Sequence, residues 1–229
     1  MGIALPSHEE MVEAILLTYD RATVGQRLDG DAWYPLAGRV VTEIADLFGV
    51  DSHRVAHALA ALSPRNPWRW NVTDCYVYTS SAANGGEMPT ATTYTANQRA
   101  AWLALIADGS PWVTAARKVS SFVAAIMGDT DAIVVDVWAM RAATNGVLSE
   151  PGTDRRYRDV AYAYKDAAQV LGVTPCTAQA VTWLVAQQAG IGSRRSGRHD
   201  LAWKRSTPDF VKDLIAPDEP RQLSLAWVL

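Results

Sequence analysis

Several things are scarce in this 229-residue chain, and each scarcity removes a class of function. There are only two cysteines, Cys75 and Cys176, far apart and outside any C-x-x-C pattern, so a zinc or iron–sulfur cluster built by this chain alone is not expected. Of the four histidines, His53 and His57 stand at i, i+4, a spacing that suits a metal, but no third ligand motif accompanies them and no metal is expected. No apolar run approaches the roughly 20 residues needed to cross a bilayer. The start, MGIALPSHEEMVEA, carries acids where a signal peptide wants bases, so the expected location is the cytoplasm, with no membrane partner. Glycines occur in Gly190-Ile191-Gly192-Ser193-Arg194, but no strand precedes them and no G-K-[ST] follows, so neither a nucleotide loop nor any cofactor is expected. Glu9 with Glu10, and Asp129 with Asp131, read as solvated acids.

What remains is an ordinary globular balance, 49% apolar and 20% charged, arranged almost throughout at helical spacing. Ser7-His8-Glu9-Glu10 reads as a capping box ahead of Met11, Ile15 and Leu16. A second helix is predicted from about Ala37 to Phe48, closed by Gly49. Asp51 or Ser52 caps a third, stopped by Pro64, and RWNVTDCYVYTSSA forms a fourth. NGGEMPTATTY, Asn84 to Tyr94, is the clearest loop, dividing two lobes or lining a cleft. Thr95-Ala96-Asn97-Gln98 reads as another capping box, for a helix to about Ala107. After Gly109-Ser110-Pro111 a helix runs from near Val113 to Met127, and GDTDAIVV is a β-branched connection. Asp136 caps VWAMRAA, and TDRRYRDVAYAYKDAAQVLG is a long helix closed by Gly172. Thr174-Pro175 starts a helix through Trp183 to Ala189, and Thr207-Pro208 starts a last short one. With no strand-and-turn series and no repeat, the expected fold is all-α: one domain over residues 1–229, in two lobes with a cleft between them.

A net charge of −3 argues against a nucleic-acid coat, yet residues 190–206 form a basic loop in which Arg194, Arg195, Arg198, Lys204 and Arg205 face the single acid Asp200. It reads either as a solvated loop or as a surface that neutralises backbone phosphates. Asp136 is first of all a helix cap, accepting backbone N–H groups and stabilised by the helix dipole. The same setting pins it in one rotamer, as suits a group that stabilises a cationic transition state. Lys118 heads a run through Val119, Phe122, Val123 and Ile126. It reads as a snorkelling side chain or, partly desolvated in a cleft, as a nucleophile.

Taken together, Lys118-Val119, an apolar helix and then Val135-Asp136-Val137 resemble the helix-hairpin-helix DNA glycosylase superfamily, in particular its 8-oxoguanine glycosylase branch. HALAALSPRNPWRWN, His57 to Asn71, is similar to that family's helix ending in a polar turn that inserts into the duplex. The likeness covers residues 57–143, while AYAYKDAAQVLGVTPCTAQAVTW is similar to phage-encoded relatives of the superfamily. The family carries glycines just before its lysine. Here that stretch is Val113-Thr114-Ala115-Ala116-Arg117, and Arg117 supplies charge instead.

The resemblance implies a two-lobed helix-hairpin-helix fold and DNA as partner. Asp136 and Lys118 would be catalytic; Ser63, Arg65, Asn66, Arg117, Arg194, Arg195 and Arg198 would touch DNA; Trp68, Trp112 and Trp138 would be candidates to stack on a flipped base. Two other functions remain open on the same fold. One is a phage thymine-hypermodification transferase placing an amine or amino acid on an activated base. The other is a non-catalytic phage protein that binds DNA or a host factor.

Overall fold

The computed structural model describes residues 4–91, 93–107 and 117–189. Among these residues every regular element is a helix: α1 (His8–Asp20), α2 (Val24–Phe48), α3 (Ser52–Leu62), α4 (Trp68–Ala83), α5 (Thr95–Ile106), α6 (Arg117–Ile126), α7 (Val137–Ala143), α8 (Asp154–Leu171) and α9 (Pro175–Gln188). None of them is long and apolar enough to cross a membrane. The chain divides into two compact units at Tyr34/Pro35 and Met127/Gly128. The first holds described residues 4–34 and 128–189, the second 35–91, 93–107 and 117–127.

Most helix ends form where the side chains direct them. Ser7 and Glu10 make the reciprocal capping box of α1. Asp51 caps α3 through the Arg54 N–H, Thr153 caps α8, and Gly172 closes α8 in the left-handed conformation at φ 67°. Thr174 caps α9, with Pro175 in its first turn.

Two expectations need correction. α2 starts at Val24, thirteen residues before the predicted Ala37, because Thr23 and Gln26 form a capping box: the Thr23 N–H donates to Gln26 Oε1 at 2.8 Å and the Gln26 N–H to Thr23 Oγ1 at 3.2 Å. The Thr95–Gln98 box does not form, since α5 is preceded by Tyr94 with no side-chain cap. Gln98 is occupied elsewhere. Its amide donates to the Ala91 and Thr93 carbonyls at 2.9 and 2.8 Å, tying the preceding loop to the helix. The start of α6 near Val113 and the last short helix at Thr207 lie outside the described residues.

In the first unit α1, α7, α8 and α9 pack around Met11, Ile15, Met140, Val160 and Tyr164, all essentially without solvent contact. In the second, α3 is central and packs on α4, α5 and α6. Its sequence SHRVAHALAAL explains this: the alanines at 56, 58, 60 and 61 admit neighbours on several sides, and its polar residues fall in the first two turns. α4 is unusual. Its buried face is polar, with Asn71, Thr73, Asp74 and Thr79 beside Cys75 and Tyr78.

Candidate functional site

Asp136 is delivered by Ile133–Val135, a buried segment that belongs to no helix and so lacks a helix's backbone bonds. The Tyr157 hydroxyl serves it instead, donating to the Ile133 carbonyl at 2.9 Å and accepting from the Val135 N–H at 3.1 Å. The Asp136 N–H closes onto the Val134 carbonyl at 3.0 Å. Beyond this turn α7 begins, and Asp136 Oδ1 accepts from the Trp138 and Ala139 N–H groups, both at 2.9 Å. That is the expected cap.

The second oxygen is not idle. Oδ2 accepts from the Trp183 indole N–H at 3.1 Å, so three donors from two helices hold a half-buried carboxylate. Trp183 is itself set against Trp33, ring centroids 5.2 Å apart and planes tilted by 36°. One turn earlier on α9, Gln179 Oε1 accepts from the Tyr34 hydroxyl at 2.6 Å. Burial raises the Tyr34 phenol well above its ordinary value, and the nearby Cys176 and Asp136 push it the same way. Tyr34 therefore stays a neutral donor. Tyr164, also raised by burial, bonds the Ala139 carbonyl at 3.2 Å and Thr182 at 3.0 Å, bracing α7 against α9. The result is a carboxylate bonded to one indole, on helices braced by two neutral phenols.

Of the other predicted residues in the first unit, Trp138 is half-buried under the Arg141 guanidinium, 4.8 Å from its ring centroid. Lys118, Arg117, Ser63, Arg65, Asn66 and Trp68 belong to the second unit. Lys118 is half-buried on the first turn of α6, at the edge of the face that buries Val119, Phe122, Val123 and Ile126. Residues 63–66 form a tight turn, the Asn66 N–H returning to the Ser63 carbonyl at 3.1 Å with Pro64 at its second position. Arg65 occupies the third at φ 58°, a left-handed conformation that costs a non-glycine residue about 1 kcal/mol. Ser63 and Asn66 turn inward: Ser63 Oγ donates to the Ala60 carbonyl at 2.9 Å, and Asn66 Nδ2 to the buried Asp74 at 2.7 Å. Arg65 is exposed, its guanidinium 5.1 Å from the Tyr94 ring centroid. Trp112, Arg194, Arg195 and Arg198 lie outside the described residues.

Sequence reasoning missed Trp183, Trp33, Tyr34 and Gln179. The i, i+4 pair Gln179 and Trp183 was visible as one face of a helix, but pairing it with Asp136 requires the packing of α7 on α9.

Among the described residues no cluster of three His, Cys, Asp or Glu side chains could hold a metal ion. His57 has a different consequence. Burial, with repulsion from His53 behind it, lowers its imidazole from 6.5 to about 4. Below pH 6.5 the unfolded chain takes up a proton that the folded one refuses, so stability falls between pH 6.5 and pH 4. Because the ring is only half-buried, solvent screening limits this to about 1 kcal/mol. Urea titrations at pH 7 and pH 4.5 check it. The midpoint should drop less in His57→Leu than in the parent, and equal drops would refute the assignment.

A family model described as "Family of unknown function (DUF7178)" matches residues 3–190. The chain belongs to this family. No curated protein and no solved structure matches it. The DUF7178 region spans every described helix, and with them Asp136, Lys118 and the 63–66 turn. Arg194, Arg195 and Arg198 fall beyond it.

Proposed function

We propose that the protein acts on a base in DNA, with the helix-hairpin-helix glycosylase type as its fold. The observation that carries this reading is Asp136. Its carboxylate is held by three N–H donors beside tryptophans, yet remains half-exposed. A fixed anion of this kind lowers the barrier to a step that builds positive charge on a sugar, because its orientation is set before the reaction.

Lys118 supplies the nucleophile. Once its ammonium has given up a proton, the amine attacks C1′ of the extruded nucleotide, the glycosidic C–N bond breaks, and the base leaves with the bonding electron pair and takes up a proton. Ring opening then gives an iminium between Nζ and C1′, which borohydride reduces to a stable amine. Arg65 on its exposed turn and Arg117 contact the duplex, and the segment with Arg194, Arg195 and Arg198 neutralises phosphates.

The parent protein, incubated with abasic and damaged-base duplexes plus borohydride, should give a covalent complex that Lys118→Ala abolishes. Binding measured without borohydride should weaken steeply with salt in both proteins. A complex that persists in Lys118→Ala would remove the lysine from the chemistry. Absence of any complex across the duplex panel would exclude attack by lysine altogether.

A further inference from the structure

We infer that Trp183 is a positioning residue for Asp136, a role that rests on the reaction proposed above. The cap at α7 fixes only Oδ1, which takes both backbone N–H groups at 2.9 Å. The terminal torsion of an aspartate is broad and moves both oxygens together, so a cap restrains it from the Oδ1 side only. The indole N–H at 3.1 Å restrains the same torsion from the Oδ2 side. A carboxylate offers about four acceptor positions. Three are taken, and the one remaining lies on Oδ2.

The indole is well suited to this task. It has one donor and no acceptor, so it cannot exchange roles with its partner. Its own orientation is set by Trp33 on α2 and by its place one turn after Gln179, which Tyr34 holds. Fixing the oxygen that still has a vacant lone pair matters because electrostatic stabilisation depends on an orientation settled in advance.

Two measurements test this. In the ¹⁵N-labelled parent, one indole N–H resonance should carry the downfield shift of a hydrogen bond to a carboxylate. The same resonance should be missing in Trp183→Phe and lose that shift in Asp136→Ala. In single-turnover borohydride trapping at saturating DNA, Trp183→Phe should be roughly 10- to 100-fold slower while its DNA affinity is unchanged, a split that a merely structural residue would not produce.

An indole spectrum indifferent to Asp136→Ala would overturn the pairing, and a Trp183→Phe protein that traps as fast as the parent would overturn the role. Failure of the parent itself to trap DNA would sink the proposed reaction and this role with it. The indole spectrum would then still establish whether the two side chains are paired in solution.

Discussion

Gly30→Ala is expected to lower stability by roughly 3 kcal/mol, although alanine favours a helix over glycine by about 0.5–1 kcal/mol. A Cβ built at position 30 falls 2.4 Å from Val181 Cγ2, 2.8 Å from the Val181 backbone nitrogen and 3.0 Å from its Cα. The side-chain methyl can rotate away, but the backbone atoms of α9 cannot yield without moving a helix whose inner face is almost wholly buried. The clash therefore outweighs the gain in propensity, and the melting temperature should fall by about 10 °C. Gly25→Ala on the same helix is the control. Its Cβ would meet only Thr23 Oγ1 at 3.8 Å, so this variant should match the parent or exceed it. Thermal melts of the three proteins decide the matter. A Gly30→Ala protein at or above the parent would show that α2 and α9 lie farther apart than these distances.

Gly30 also shows why half of α2 was illegible in the sequence. VGQRLDGDAWYPLAGRVV holds three glycines and a proline, which ordinarily mark a loop, so the helix was expected to begin only at Ala37. Two of those glycines sit where another backbone comes close: Gly30 at Val181, and Gly38 with the Ile126 carbonyl 2.8 Å from where its Cβ would be. Their cost in propensity is offset by contacts made far along the chain, which no local pattern contains. Caps followed by regular apolar spacing, as in α1, α3, α8 and α9, were readable because all their determinants are local. The candidate site divides in the same way. The capping role of Asp136 could be read from its neighbours, whereas the indole on its second oxygen comes from a residue 47 positions away.

The second large effect is expected from Tyr157→Phe. The ring lies in the core of the first unit with Ile133, Val135 and Val160, and phenylalanine would fill nearly the same space. What is lost is the hydroxyl, which accepts from the Val135 N–H at 3.1 Å and donates to the Ile133 carbonyl at 2.9 Å. Both residues are under 5% exposed, so the two backbone groups would be left without water or partner, at about 1–3 kcal/mol each. Allowing for some relaxation, a loss of roughly 2–4 kcal/mol follows. Tyr164→Phe provides the contrast, because its partner Thr182 also bonds the Ala178 and Gln179 carbonyls. Its hydroxyl orphans less, and a loss of about 1 kcal/mol is expected. Urea denaturation gives both values, and equal losses in the two variants would refute the argument. Hydrogen exchange localises the effect: the Val135 amide should lose protection in Tyr157→Phe, while amides in the middle of α8 keep theirs. Asp136 follows Val135 directly, so loosening this segment should also slow borohydride trapping at temperatures where the variant remains folded, linking a buried phenol to the carboxylate it helps to aim.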